Sequence, residues 1–253
     1  MKKSEVTTNP WTEFRKLTAA RIALGRAGTS LPTSAHLNFQ FDHAQARDAV
    51  HRPLDADKVF EDLRGLGLKI VRAHSAAPDR GTYLQRPDLG RRLDAPSREK
   101  LVALEASPCD VALVVADGLS SFAIETNAEK FLTAFLPLAK DSGLTLGPTT
   151  LALQGRVALG DEIGEILRAK IVIVLIGERP GLSSPDSMGL YLTHAPRIGR
   201  TDAERNCISN IRPDGLSCTE AARKTLWLLR ESLRRGLSGV QLKDDAAPSL
   251  TGP

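Results

Sequence analysis

A carboxylate placed where a buried strand stops is well placed to accept hydrogen bonds from a ligand, and Glu178 has that position. The run Ile171–Ile176 is wholly apolar, and Gly177, Glu178, Arg179, Pro180 and Gly181 follow it at once. Pro180 restricts Arg179 to extended backbone, and the two glycines allow sharp bends. The alternative is a surface turn in which Glu178 and Arg179 form local salt links. A second loop, Ala116-Asp117-Gly118-Leu119-Ser120-Ser121, leaves another apolar run and precedes a segment of helical period. Its glycine permits close backbone approach, and the helix start offers free amides to an anion or an amide oxygen. An ordinary turn capped by Ser120 is the plainer account. A third stretch, Asp202 to Asn210, gathers polar groups around Cys207. A catalytic thiolate needs a nearby histidine or a positive field. His194 is the only histidine in the last third of the chain, so a small half-buried side chain in a polar loop is the simpler reading.

Other chemistry-bearing residues stay open. Arg86, Arg91 and Arg92 in RPDLGRRL could clamp a phosphate or carboxylate, or join an inter-subunit salt network. His36, His43 and His51 are spaced by seven and eight, near one helical face, but lack close cysteine or carboxylate co-ligands. A solvated or partner-facing surface explains them better than a metal. No G-x-G-x-x-G, G-x-x-x-x-G-K-[ST] or G-x-S-x-G motif occurs. The chain thus has ligand-type loops without a self-contained catalytic set, as expected of a subunit that holds something while another chain does the chemistry. Two other readings compete: a stand-alone α/β enzyme centred on Asp117 or Cys207, and a basic scaffold or nucleic-acid-binding protein.

Composition bounds these readings. With 42% hydrophobic and 25% charged residues over 253 positions, the chain is globular and can bury one sizeable core. Net charge is +4, but the basic residues are interleaved with acidic ones and aromatics are only 4%, which weakens a nucleic-acid surface. No apolar run approaches a membrane span, and no secretory signal follows the first lysines. Three scattered cysteines with no CxxC suit a reduced cytosolic setting.

The elements that must position these loops follow from hydrophobic period. Phe14, Leu17, Ala20 and Leu24 share one face of an expected helix that Gly25 and Gly28 end. A second helix starts after Pro32, with Thr33 or Ser34 as cap and Leu37, Phe41 and Ala44 on one face. A third spans about Asp57 to Leu66. From there Leu68–His74, Val111–Asp117, Thr150–Val157 and Lys170–Gly177 read as strands, and Ser97–Ser107, Leu119–Lys140 and Asp161–Ala169 as helices. That alternation predicts an α/β fold: a mainly parallel, Rossmann-like sheet with helices on both faces, residues 67–253, preceded by an N-terminal helical segment, residues 1–66. Ser217-Cys218-Thr219-Glu220 has capping-box spacing. Ala222, Leu226, Leu229 and Leu233 then mark the face of a last helix that Gly236 stops. The tail after Asp245 reads as loose.

At the loops the sequence resembles the small (light) subunit of ethanolamine ammonia-lyase. GRAG (Gly25–Gly28), RPDLGRRL (Arg86–Leu93), VADGLS (Val115–Ser120), GDEIGEIL (Gly160–Leu167), IGERPGL (Ile176–Leu182), DAERNCISNI (Asp202–Ile211) and SGVQLKD near the end carry the likeness, in family order, over residues 10 to 244. The resemblance implies a holoenzyme that converts ethanolamine to acetaldehyde and ammonia, using the radical made by homolysis of adenosylcobalamin's cobalt–carbon bond. It implies that a barrel-shaped large subunit holds the substrate and the radical chemistry. The small subunit, with no catalytic residue of its own, closes over the cobalamin. Contacts to the cofactor carry over to Val157, Glu178 and Cys207. The Asp-x-His-x-x-Gly loop of base-off cobalamin enzymes is absent, which implies base-on binding. Some members carry a long N-terminal extension that directs them into a protein-shelled bacterial microcompartment; here about ten residues precede the first expected helix.

Overall fold

Strands that are apolar on both faces need cover on both sides, and two such strands form the centre of this protein. A computed structural model describes residues 6–243. In chain order its strands are β1 (Val6–Thr7), β2 (Arg26–Ala27), β3 (Ile70–His74), β4 (Cys109–Ala116), β5 (Thr149–Leu153), β6 (Ala169–Gly177), β7 (Met188–His194) and β8 (Arg205–Ile211). Its α-helices are α1 (Thr33–His51), α2 (Ala56–Gly65), α3 (Arg80–Gln85), α4 (Ala95–Val102), α5 (Ser121–Asp141), α6 (Leu159–Ile166) and α7 (Cys218–Arg235).

Six strands make one sheet in the order β3-β5-β4-β6-β7-β8, parallel from β3 to β6 and antiparallel beyond. Successive side chains of a strand point to opposite faces. Val111, Leu113 and Val115 of β4 and Ile171, Ile173 and Leu175 of β6 therefore enter one core, with α5, α7 and α2 against it. Ala112, Val114 and Ala116, with Val172, Val174 and Ile176, enter the other, under α4 and α6. The expected α/β architecture is what forms.

Helix ends follow the capping chemistry. Asp55, Asp79, Asp94, Ser120 and Ser217 each accept a backbone N–H at the start of a helix. Ser217 takes the amide of Glu220, and Gly236 ends α7 with φ +67°. The buried face of α7 runs through Ala221, Ala222, Leu228 and Leu229 rather than Leu226, which is only partly covered.

Several expectations need correction. Residues 202–210 are not a polar loop: β8 begins at Arg205 and pairs antiparallel with β7, itself absent from the sequence reading. As an edge strand β8 buries only Arg205, Ile208 and Ile211, so its remaining positions stay polar. The Arg205 guanidinium bonds both carboxylate oxygens of Asp161 on α6 at 2.5 and 2.7 Å, a buried bidentate pair that ties the edge strand down. Val157 is not in a strand; β5 stops at Leu153, and Gln154 turns the chain with φ +53°. The helix expected around Phe14 to Leu24 is a short 3-10 turn, Pro10–Lys16, with Phe14 and Leu17 exposed. Its spacing is amphipathic, but among the described residues no core lies beneath it. Helix α1 begins at Thr33 with Pro32 at the cap position and no side-chain cap, and Leu37 and Phe41 are likewise exposed. The tail after Asp245 lies outside the described residues. Among those described, no helix is long and apolar enough to cross a membrane.

Candidate functional site

Every parallel strand delivers its carboxyl end to one edge of the sheet, which is where open α/β sheets bind ligands. Here the loops after β4, β5 and β6 meet. Asp117, 3% exposed, accepts N–H bonds from Gly118 at 3.0 Å and from Gly155 at 3.1 Å, so one carboxylate oxygen joins the β4 and β5 loops. Its other oxygen faces Arg80 Nη1 at 3.4 Å, and that guanidinium also donates to the carbonyls of Gly118 and Val50, both at 2.8 Å. Burial pushes the Asp117 pKa up, and the Arg80 charge opposes that rise. Asp117 is thus a brace inside the wall, not a free acid facing a ligand.

The loop after β6 is held by Ser120 and Asn127. Ser120 Oγ accepts from the Ala123 amide, capping α5, and donates to the Pro185 carbonyl at 2.7 Å. Asn127 donates to the Asp186 carbonyl at 2.8 Å. Backbone approaches backbone where the β4 and β6 loops touch. A Cβ on Gly118, whose φ is +59°, would lie 2.3 Å from the Gly177 carbonyl oxygen. A Cβ on Gly177 would lie 2.0 Å from that of Ser120. Only glycine fits either place.

Above this floor opens a cavity of about 440 Å³ whose lining includes Tyr83, Gly118, Arg156, Val157, Glu178, Arg179, Tyr191 and Ser209. Two of the residues expected from the sequence, Val157 and Glu178, therefore line the same cavity. Glu178 Oε2 accepts from Ser187 Oγ at 2.6 Å and from the Asn210 amide at 3.2 Å, which fixes its rotamer across three chain segments. Oε1 makes no hydrogen bond among the described residues and remains an acceptor for something else. Cys207 does not line the cavity. It lies opposite Tyr191 in the β7–β8 register, on the strand face that carries Ser209 two residues on. The residue is exposed at the surface, yet its thiol is desolvated enough that burial pushes its pKa up. It is a thiol at neutral pH and not an activated nucleophile.

Sequence reasoning missed the aromatic and cationic part of this site. Both tyrosines of the chain, Tyr83 and Tyr191, line the cavity. Burial raises both phenol pKa values, so both stay protonated at neutral pH. Tyr83 is fully buried, donates to the Gly155 carbonyl at 3.2 Å, and lies under two guanidinium groups, Arg156 at 4.3 Å and Arg80 at 4.8 Å from its ring centroid. Arg156 Nε and Arg80 Nη2 are buried donors without a partner. Buried donors are rarely left so, and they mark a place for an acceptor. The scarcity of tyrosine, with one beside the arginine-rich stretch Arg86–Arg92, was the available signal. Arg91 and Arg92 border a separate, larger cavity of about 690 Å³. His36, His43 and His51 are all exposed on α1, and among the described residues no three of His, Cys, Asp and Glu converge as a metal-ligand set.

Known proteins of the same kind give this site a context. Residues 8–243 match the family described as ethanolamine ammonia-lyase light chain. The chain is 58% identical over 255 residues to the ethanolamine ammonia-lyase small subunit of Xanthomonas campestris pv. campestris, covering 98% of this chain and 94% of that one. It is 57% identical over 247 residues to the small subunit of Azotobacter vinelandii, covering 96% and 92% respectively. A match of this depth includes every loop just described, so the chain belongs to the ethanolamine ammonia-lyase small-subunit family, one component of an ammonia-lyase whose name implies a large subunit as its partner.

Proposed function

We propose that this chain closes the cofactor site of an adenosylcobalamin-dependent ethanolamine ammonia-lyase, with ethanolamine itself held and converted on the large subunit. The observation that carries the reading is the convergence of Val157 and Glu178 on one open cavity, with Cys207 beside it. The residues present suit one edge of a corrin ring, whose rim bears primary amides that both donate and accept. Glu178 Oε1 is an unused acceptor for an amide N–H, and the buried Arg156 Nε and the Ser209 hydroxyl are donors for an amide carbonyl. Val157 and the Tyr191 ring offer apolar surface to the flat of the macrocycle. A cavity of about 440 Å³ is far too small for the whole cofactor, which suits a site shared between two chains.

When bound, adenosylcobalamin supplies the radical that takes hydrogen from ethanolamine. This chain's own residues bind and orient: Ser187 and the Asn210 amide hold Glu178 still, and Asp117 with Arg80 keeps the floor rigid. Covering the site also keeps water from it, which protects any reactive species formed there. On this reading residues 67–253 form the cobalamin-contacting domain and residues 1–66 an appended helical segment. The complex works in the bacterial cytosol or inside a protein-shelled compartment, which cell fractionation distinguishes. No nucleic acid takes part.

Hydrogen exchange on the reconstituted complex tests the placement. Adding adenosylcobalamin should slow exchange in residues 154–158, 178–187 and 205–211. Protection confined to other segments would contradict it.

A further inference from the structure

Soluble proteins rarely leave large side chains such as tryptophan and phenylalanine in water in clusters. Thirteen large apolar side chains are exposed among the described residues, and nine of them fall between Val6 and Phe41. Six carry the argument: Trp11 (61% exposed), Phe14, Leu17 (80%), Leu37, Phe39 and Phe41 (64%). At typical side-chain areas they expose together on the order of 800 Å², close to one partner's share of a standard interface. The segment that carries the first three is held against α1. Trp11 stacks on Phe14 with ring centroids 5.4 Å apart, Arg21 pairs with Asp42 of α1, and the Arg21 guanidinium lies 5.9 Å from the Phe39 ring centroid.

The placement of these side chains on α1 says more. A residue advances 100° around a helix, so Leu37 and Phe41 share one face while Phe39 points almost directly away from it. Only Ala46 and Ala49, near the far end, are buried. The first three turns of α1 therefore project with apolar groups on opposite sides, and one flat partner surface could cover only one of them. The far edge of this region touches the cofactor loop. Leu182 and Ser183, four and five residues after Glu178, line one cavity with Arg15, Leu24 and Ser34. A partner that closes the mouth of the cavity meets the N-terminal surface next.

We infer that residues 11–41 are the docking element for the large subunit, and that the first turns of α1 insert between two surfaces of that subunit's assembly. The occupant is the large subunit rather than a second copy of this chain, because the N-terminal segment and α1 border the loop after Glu178, which the proposed function has the large subunit cover. The inference rests on that reading and is tested apart from it.

The experiment uses the cognate large subunit and two variants, Leu37→Ser with Phe41→Ser on one face and Phe39→Ser on the other. All three positions are exposed, so the isolated variants should keep the wild-type melting midpoint. A third variant, Trp11→Ser, lies outside α1 and keeps the test valid if a helix variant misfolds. Sedimentation velocity reads large-subunit binding, and a titration at saturating large subunit reads adenosylcobalamin affinity. Each variant should weaken subunit binding at least tenfold, and cofactor affinity should hold once the complex is forced to form. Unchanged subunit binding in all variants overturns the inference. Loss from one face of α1 alone overturns insertion between two surfaces. Intact subunit binding with altered self-association of the isolated chain assigns the surface to a second copy instead. A Glu178→Ala chain that assembles and binds cofactor normally would remove the cofactor reading while leaving the docking element standing.

Discussion

Replacing Glu178 by alanine separates its two jobs, because its two carboxylate oxygens have different partners. Oε2 accepts from Ser187 Oγ and the Asn210 amide, and both bonds are internal to this chain. Hydrogen bonds to a charged group contribute roughly 1.5–3 kcal/mol each when buried. Glu178 is half-buried, so water can replace part of what is lost. A stability loss of about 1–2 kcal/mol in the isolated chain is the expected net effect. Oε1 has no hydrogen-bond partner among the described residues, and on the proposed reading it accepts from a corrin amide. Removing one such bond of about 1.4 kcal/mol raises the dissociation constant roughly tenfold. Glu178→Gln keeps an acceptor oxygen and the side-chain length, so it should fall between wild type and alanine in both assays. Urea unfolding of the isolated chain reads the first quantity, and absorbance titration of adenosylcobalamin into the preformed complex reads the second. Reduced stability with an unchanged dissociation constant would refute the role at Oε1 and leave Glu178 as a brace between β7 and β8.

Other perturbations follow from the same geometry. Asp117→Ala should destabilise the fold by about 3–5 kcal/mol in denaturant, because it strands the Arg80 charge and frees the Gly118 and Gly155 amides in a buried place. Ser217→Ala removes the cap of α7 and should cost about 1 kcal/mol, read as a lower urea midpoint with an unchanged slope. Acid stability should respond to Lys170, whose ammonium bonds Asp110 at 2.8 Å and, with the Thr145 amide, holds that carboxyl down to about 2. A carboxyl depressed by folding stabilises above its unfolded pKa near 3.8, and the contribution is lost as pH falls towards 2. Lys170→Ala should therefore raise the Asp110 midpoint in a carboxyl-resolved NMR titration and shrink the stability lost between pH 4 and 2. An unmoved midpoint would contradict the pairing.

How much of this the sequence made legible varied with how each residue is buried. β4 and β6 stood out because both faces are covered, so their apolar runs are unbroken. β8 was hidden for the opposite reason: an edge strand that buries three of seven residues looks like a polar loop. β7 carries Gly189, Tyr191 and Thr193 among its apolar residues and follows the β6 loop, where another α/β unit would be expected. Helical period in the first fifty residues was real, but period reports only that a face is apolar. It does not say whether the chain itself supplies the cover, and for Phe14, Leu17, Leu37 and Phe41 the described residues do not. Within the site, Glu178 was readable as a strand-end carboxylate. Val157, and the cofactor contact of Cys207, came only from resemblance, since an aliphatic side chain and an inactive thiol announce no such chemistry. Arg80 and Tyr83 are neighbours on α3, but Arg156 meets them only through the fold, across some seventy residues of sequence.

The central claim is that this chain completes a cofactor site that it cannot use alone. Purified chain, purified large subunit and adenosylcobalamin, assayed singly, in pairs and together for acetaldehyde release from ethanolamine, test that directly. Turnover should require all three. Acetaldehyde from this chain without the large subunit, or full turnover by the large subunit and cofactor without this chain, would contradict it.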